Sequence, residues 1–159
     1  MRIGHGYDVH KVDPAKNYVI LGGVKIPCAF GLLAHSDGDV LLHAVADALL
    51  GAAGLRDIGS LFPDTDEKYR DVSSVVLLRE VMRRVRSGGL EVEYLDATLI
   101  AQRPKLSPYV EEIRSTLARE LEISVERCNI KATTEEGLGF TGRGEGIAAH
   151  AVCLLREKG

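Results

Sequence analysis

One predicted helix is apolar on almost every face, and this limits the folds open to the chain. Asp39 is a typical N-cap residue, and the following run, 40–53, is almost entirely Val, Leu and Ala. Such a helix is normally buried, so it must pack against another layer. Its polar residues Asp39, His43 and Asp47 are spaced four apart and form one stripe. Because buried polar groups need partners, the facing layer must offer polar side chains to this stripe.

The N-terminal segment contains residues that could meet this stripe. Residues 2–10 predict a strand in which Asp8 and His10 point to the same face, and Gly4 and Gly6 leave space beside them. A carboxylate and an imidazole are suitable zinc ligands, and His43 would complete an Asp-His-His set with an open fourth position, as in catalytic zinc sites. The alternative is a helix histidine that only satisfies a hydrogen bond in the core. The spacing alone leaves both hypotheses open.

Other polar residues near this face have simpler expected roles. Asp47 lies one turn beyond His43 and is expected to accept the second ring N–H of that histidine. His5 lies on the opposite strand face and His150 inside the last predicted strand, and we expect both to be structural. His35 precedes the turn that opens the helix, where N–H groups favour anions. On the residues alone it is either a stabiliser of negative charge or an ordinary loop histidine.

The predicted order of strands and helices along the chain combines hairpins with β-α-β crossovers. Gly22–Gly23 predict a short hairpin, and 55–72 predict a mobile loop whose Asp64 and Asp66 suit a lid over a substrate. We expect an α/β (α+β) fold: a two-layer sandwich with helices packed on one face of a mixed sheet, plus a small N-terminal hairpin, in one domain spanning 1–159. Further helices are predicted over 73–87 and 107–121, and further strands over 90–101, 127–134 and 146–155.

Two segments near the C-terminus suit phosphate groups. A predicted strand ends in two threonines, and Glu135 or Glu136 beyond it could hold a hard cation such as magnesium. The segment 137–146 has five glycines, and Arg143 within it is a fixed positive charge. A glycine-rich turn between strands is the simpler interpretation of this second segment. The sequence lacks the Walker A and Rossmann glycine fingerprints, which argues against an ATPase or a dinucleotide-binding protein.

The charge balance and the cysteine spacing argue against a nucleic-acid-binding protein and a disulfide-bonded protein. Lys and Arg number 20 against 23 Asp and Glu, whereas dedicated nucleic-acid binders carry a basic excess. The three cysteines form no C-x-x-C pair, which indicates reduced thiols in a cytoplasmic protein. The sequence shows neither a signal-peptide pattern nor an apolar run of roughly 18 residues, so we expect no membrane partner.

Five segments of the chain resemble a known family. They are RIGHGYDVH at 2–10, AHSDGDVLLHA at 34–44, DIGSLFPDTD at 57–66, LIAQRPKLSPY at 99–109 and KATTEEGLGFTGRGEG at 131–146. Their order and spacing, over nearly the whole chain, resemble the 2-C-methyl-D-erythritol 2,4-cyclodiphosphate synthase family of the non-mevalonate isoprenoid and terpenoid pathway.

The resemblance implies a metal-dependent phosphorus–oxygen lyase. It would convert 4-diphosphocytidyl-2-C-methyl-D-erythritol 2-phosphate to 2-C-methyl-D-erythritol 2,4-cyclodiphosphate and CMP. It implies a homotrimer with active sites between neighbouring subunits, and an isoprenoid diphosphate at the trimer axis is a further expectation. Two alternatives are a zinc-dependent nucleotide diphosphate hydrolase and a trimeric isoprenoid-phosphate binding protein.

The resemblance also implies residue roles. A divalent metal, zinc by preference, would bind Asp8, His10 and His43. Magnesium or manganese would lie between the substrate phosphates on Glu136. Many relatives have threonine where this chain has Glu135, and alignment on LGFTGRGEG favours Glu136.

The transition-state stabilisers would be His35 and Thr134. The cytidine and its phosphates would contact Ala101, Gln102, Arg103, Pro104, Lys105, Leu106 and Thr133. The methylerythritol side and lid would comprise Asp57, Ile58, Gly59, Phe62, Pro63, Asp64, Thr65 and Asp66. The remaining binding positions would be Ser36, Glu135, Phe140 and Arg143. Phe140 and Arg143, with Glu145, would line the trimer axis.

Overall fold

A mixed five-stranded sheet with helices on one face forms the body of the protein. The computed structural model describes residues 1–159. The sheet order is β4-β1-β7-β5-β6, with β5 and β6 parallel and the other neighbours antiparallel. The strands are β1 (Arg2–Asp13), β2 (Tyr18–Leu21), β3 (Val24–Pro27), β4 (Gly31–Leu32), β5 (Leu90–Ile100), β6 (Cys128–Thr133) and β7 (Gly146–Glu157). The helices are α1 (Val40–Ala53), α2 (Ile58–Leu61), α3 (Ser74–Ser87), α4 (Val110–Leu121) and α5 (Gly139–Gly142). The expected sandwich, and the separate hairpin of β2 and β3, are confirmed.

Helix α1 lies directly on β1 because two glycines leave no side chain between them. A Cβ atom at Gly4 would fall on the carbonyl oxygen of Ala48, and one at Gly6 would fall on that of Ala44. The even-numbered residues of β1 therefore face α1, while the odd-numbered residues point to the opposite, exposed face. This close approach carries the polar stripe of α1 to the end of β1.

Asp39 joins the start of α1 to the hairpin. Its fully buried carboxylate accepts the N–H of Leu42 at 3.0 Å, as an N-cap, and the N–H groups of Gly22 at 2.9 Å and Gly23 at 2.7 Å. Both glycines have positive φ, at 60° and 77°, as a two-residue hairpin turn requires. Burial raises the pKa of this carboxyl to about 6, although its three N–H bonds oppose the shift.

Several short elements differ from the expectations. The segment 55–72 is not one irregular loop, because α2 and a 3-10 turn at Glu67–Tyr69 order it through caps from Asp57 and Asp66. The helix expected from residue 107 begins as a 3-10 turn, and its α-helical part starts at Val110. The glycine-rich segment contains the single turn α5, and β4 is a two-residue strand. Elements this short leave no hydrophobic period in a sequence.

The face of the sheet away from the helices exposes apolar side chains. Ile3 is 70% exposed, and Tyr7, Val9, Tyr94 and Val152 are also exposed. His5 and His150 lie on this face with ring nitrogens 3.0 Å apart. None of the helices has the length and apolar character that crossing a membrane requires.

Candidate active site

Asp8, His10 and His43 converge at one end of the sheet. His10 Nε2 lies 2.9 Å and His43 Nδ1 3.0 Å from Asp8 Oδ2, and the two ring nitrogens are 3.2 Å apart. The strand supplies the first two side chains from one face, and α1 supplies the third. The structure thus brings together the three ligands expected from the sequence.

This triangle fits a divalent metal ion. Ligand atoms at about 2.0–2.1 Å from a tetrahedral ion lie roughly 3.3 Å from one another, close to the three separations here. One carboxylate and two imidazoles form a donor set of the kind that zinc and neighbouring transition metals accept. All three candidate ligand atoms lie within 4.8 Å of one another. The donor set leaves further coordination positions facing the cleft.

The ionised form of Asp8 and the protonated form of His43 stabilise each other. Burial would raise the pKa of Asp8, but hydrogen bonds from His10 and His43, with their positive charge, lower the pKa to about 2. For His43, burial opposes protonation, yet the hydrogen bond and charge of Asp8 raise its pKa. The carboxylate is thus held ionised, as a metal ligand must be.

The outer nitrogen of His43 does not meet Asp47. His43 Nε2 lies 2.8 Å from Ser74 Oγ and 3.2 Å from Ser36 Oγ. Asp47 instead accepts the N–H of Ile58 at 2.8 Å and so ties α2 to α1. The expected Asp47–His43 contact is therefore wrong, because His43 Nε2 faces Ser74 and Ser36 and Asp47 bonds the backbone of the following segment.

The triangle lies in a cleft of about 220 Å³. His35 lines the same cleft, and its Nε2 is buried without a hydrogen-bond partner. A buried polar atom without a partner is costly and indicates a ligand contact. Ser36 also lies in the wall.

The segment after α1 forms the outer wall of this cleft. Among the residues expected on the methylerythritol side, the wall contains Ile58, Gly59, Phe62 and Asp64. Phe62 packs edge-on against Tyr69, with ring centroids 5.1 Å apart. Asp57 accepts from Ser60, and Asp66 accepts from the N–H of Lys68, so these two carboxylates shape the segment. Pro63 and Thr65 adjoin the wall in sequence without lining it.

A second cleft, of about 430 Å³, lies beyond the ends of β5 and β6. The sequence expectation grouped 101–106 with Thr133, and the structure places all of these residues and Thr134 around this one cleft. Ser107, Val110, Ile130 and Ala132 complete its wall. The wall contains no aromatic side chain, and Arg103 and Lys105 give it positive charge.

The two adjacent glutamates have different surroundings. The Glu135 carboxylate accepts a short hydrogen bond from the Thr141 hydroxyl inside the glycine-rich segment. Glu136 is exposed, and its N–H donates to Thr134 Oγ1 at 3.2 Å. Both glutamates are exposed, and they differ in that only the Glu135 carboxylate has a side-chain partner within the chain.

The glycine-rich segment also places Phe140 and Arg143. Phe140 is 39% exposed. Arg143 Nε donates to Glu145 at 2.7 Å, and Arg143 lines a third cavity together with Gln102 and Arg103. Neither residue reaches the metal-type cleft within one chain.

Both clefts lie at the same end of the sheet. The register aligns Val9 with Ala148, Ala148 with Ile100, and Ile100 with Thr133, so the ends of β1, β5 and β6 form one row. Three strand spacings separate β1 from β6, or roughly 14 Å. No residue lines both clefts.

This arrangement agrees with the comparisons with known proteins. The family model described as the YgbB family matches residues 1–156, and the chain belongs to this family. A relative from Azotobacter vinelandii, named 2-C-methyl-D-erythritol 2,4-cyclodiphosphate synthase, is 61% identical over 155 residues, which cover 98% of each chain. The chain is thus an enzyme of isoprenoid biosynthesis.

Solved structures show the same fold. One, described as a 2C-methyl-D-erythritol-2,4-cyclodiphosphate synthase in a CDP-bound form, has a TM-score of 0.90 and 41% identity, covering 98% of this chain and 100% of that one. The bifunctional IspDF from Campylobacter jejuni has a TM-score of 0.92 and 44% identity over 98% of this chain. The chain spans 42% of that longer protein.

Sequence reasoning missed Ser74 and Asp37. Ser74 lies 31 positions from His43, and no spacing rule connects the first turn of α3 with the middle of α1. The one available signal is a serine expected on the buried side of a helix start, where a hydroxyl needs a partner.

Proposed function

We propose that the chain cyclises 4-diphosphocytidyl-2-C-methyl-D-erythritol 2-phosphate and releases CMP. The observation that carries this proposal is the Asp8-His10-His43 triangle beside the unpartnered Nε2 of His35 in one cleft. This arrangement offers a metal-type donor set and a buried donor to the same anionic group.

The reaction takes its nucleophile from the substrate. An oxygen of the 2-phosphate forms a bond to the β-phosphorus, and the bond from that phosphorus to the oxygen of the CMP phosphate breaks, so CMP leaves with the electron pair. The chain must therefore align two anionic groups and neutralise charge that develops in the transition state. Divalent ions, when bound, supply Lewis-acid polarisation of the phosphate oxygens.

His35 and Thr134 act on the reacting phosphates. His35 Nε2 donates to a phosphate oxygen, which satisfies its unpartnered atom. Thr134 Oγ1 accepts the N–H of Glu136, and its hydroxyl proton would donate to a phosphate oxygen. Two fixed donors of this kind stabilise developing charge without reorganisation.

Zinc at the triangle and magnesium or manganese at Glu136 complete the proposed ligand set. Support for Glu136 over Glu135 comes from the contact between Glu135 and Thr141, which engages the Glu135 carboxylate. A free, exposed carboxylate beside a phosphate cleft is suited to a hard cation that keeps some of its water.

The cytidine occupies the cleft beyond β5 and β6. The volume of this cleft, about 430 Å³, is in the range of small-ligand sites, and residues 101–106 line it. Lys105 and Thr133 meet the phosphates there. Support comes from the CDP-bound form of a related structure of the same fold.

We also propose a homotrimer, with each active site formed between neighbouring subunits. The metal cleft and the cytidine cleft of one chain share no wall residue, and they lie at β1 and β6, strands that are roughly 14 Å apart across the sheet. A neighbouring copy would bring its cytidine cleft to this metal cleft. The exposed apolar face with Ile3, Tyr7 and Val152 is a suitable contact surface. An isoprenoid diphosphate would bind at the axis near the Arg143–Glu145 pair.

Phosphorus NMR of the product tests the activity. With the purified enzyme, zinc and magnesium, we expect two coupled ring phosphates together with CMP. Free phosphate or linear products would instead indicate a zinc-dependent hydrolase. Binding without turnover would indicate a trimeric isoprenoid-phosphate binding protein.

A further inference from the structure

Two polar side chains, Ser74 and Asp37, form a hydrogen-bonded series on the side of His43 that faces away from the metal triangle. His43 Nε2 lies 2.8 Å from Ser74 Oγ, and the Ser74 hydroxyl donates a short hydrogen bond to Asp37 Oδ1. Ser74 is 1% exposed and His43 8% exposed, so water does not replace these contacts.

The direction of these hydrogen bonds follows from Asp37, the last acceptor in the series. An ionised carboxylate only accepts hydrogen bonds, so Asp37 takes the proton of the Ser74 hydroxyl. The Ser74 oxygen then offers a lone pair to His43 and accepts the Nε2–H. Without a metal ion, the Nδ1–H of His43 donates to the Asp8 carboxylate. Because Ser74 accepts the Nε2–H, the Nδ1 proton is the one that a metal ion would displace on binding, and His43 would then keep its proton on Nε2.

Backbone hydrogen bonds and helix geometry fix the positions of Asp37 and Ser74. Asp37 also accepts the N–H of Ser74 at 3.0 Å and the N–H of Asp39 at 3.2 Å. Ser74 is the first residue of α3, so its hydroxyl is carried by a rigid helix start. The arrangement spans three elements: α1, the turn before it, and α3.

We propose that Ser74, backed by Asp37, is a positioning residue that sets the tautomer and ring orientation of His43 for metal binding. This proposal rests on the proposed metal site. It replaces Asp47, which the sequence suggested for this role and which instead binds the N–H of Ile58. Ser36 is farther from the ring, at 3.2 Å, and is the competing candidate.

Zinc affinity of the metal-free protein, measured by competition with a chromophoric chelator, tests the proposal without using activity. We expect Ser74→Ala to weaken zinc binding roughly 10- to 100-fold, the usual effect of losing such a partner. Ser74→Thr keeps the hydroxyl and should retain most of the affinity. Ser73→Ala is the matched control: Ser73 caps α3 through the N–H of Val75 and has no contact with His43.

A spectroscopic readout separates positioning from simple stability. In zinc-loaded wild-type protein labelled with ¹⁵N-histidine, we expect a slowly exchanging Nε2–H on His43, lost in Ser74→Ala and kept in Ser73→Ala. If Ser74→Ala does not fold, Asp37→Asn is the second variant. It weakens the acceptor of the Ser74 hydroxyl and should lower zinc affinity by a smaller factor.

The outcomes are distinct. Wild-type zinc affinity in Ser74→Ala, or in Asp37→Asn where the first variant cannot be folded, overturns the proposal and leaves the metal site intact. Loss of affinity in Ser36→Ala but not in Ser74→Ala assigns the role to Ser36 and also overturns it. If wild type binds zinc no better than His43→Ala, the metal site itself is wrong, and the proposal falls with it.

Discussion

The backbone of Gly6 lies against the carbonyl of Ala44, so closely that a side-chain carbon at Gly6 would come within 1.8 Å of that oxygen. Ala44 follows His43 directly in α1, and Gly6 precedes Asp8 by two residues on the same strand face. The separation between β1 and α1 therefore sets the distance between the carboxylate and the histidine of the triangle.

Replacing Gly6 with alanine should push α1 away from β1. Overpacking of this kind costs about 1–3 kcal/mol, and the shift should also weaken zinc binding because His43 moves from Asp8. Denaturant unfolding and chelator competition measure the two effects. Gly51→Ala is the control: Gly51 lies in the same helix, and a side-chain carbon there would meet only the His5 carbonyl oxygen, at an ordinary contact distance of 4.0 Å. This substitution should raise stability by up to about 1 kcal/mol. Unchanged stability and zinc affinity in Gly6→Ala would contradict the account.

Asp39 should make stability fall as the pH rises from about 4 to about 6. Its folded-state pKa of about 6 lies above the value of about 3.9 for an unfolded aspartate, so the folded state binds more protons in this window. Stability that protonation provides at low pH is lost as the pH rises through the folded pKa. Asp39→Asn should remove this slope, which unfolding curves at several pH values would show. Parallel profiles for wild type and variant would show that the pKa of Asp39 is not raised.

Asp47→Ala should loosen the outer wall of the metal cleft and leave the metal ligands in place. The variant loses the part-buried hydrogen bond to the N–H of Ile58, at a cost of about 0.5–1.5 kcal/mol. Hydrogen exchange should increase over 57–62, whereas zinc affinity should stay near wild type. A large loss of zinc affinity would restore the role that the sequence suggested for Asp47.

Asp66→Ala should lower turnover more than stability. Asp66 is exposed and caps only the 3-10 turn at Glu67–Tyr69, so its removal should cost about 1 kcal/mol or less. Turnover should drop because the segment beside the cleft excludes water when the substrate is bound. A large fall in melting temperature with normal turnover would show a structural role instead.

The sequence sufficed for the parts of the fold with a strong period or a specific cap. The buried helix after Asp39, the Gly22–Gly23 hairpin and the shared face of Asp8 and His10 follow from local spacing. The spacing left the partner of His43 open, and the family resemblance favoured its convergence with Asp8 and His10. The contacts of Asp47 and Ser74 do not follow from local spacing, because they depend on how α2 and α3 pack around α1. Glu135 and Glu136 are adjacent and chemically identical, so only the fold shows that Thr141 engages the first.

A crystal soaked with cytidine diphosphate and zinc, with anomalous scattering recorded at the zinc edge, tests the central claim most directly. We expect one strong anomalous peak bonded to Asp8 Oδ2, His10 Nε2 and His43 Nδ1, with the nucleotide in the cleft formed by 101–106 of a neighbouring subunit and its phosphates reaching the metal. Zinc bound away from this triangle, or a nucleotide bound far from it, would contradict the account.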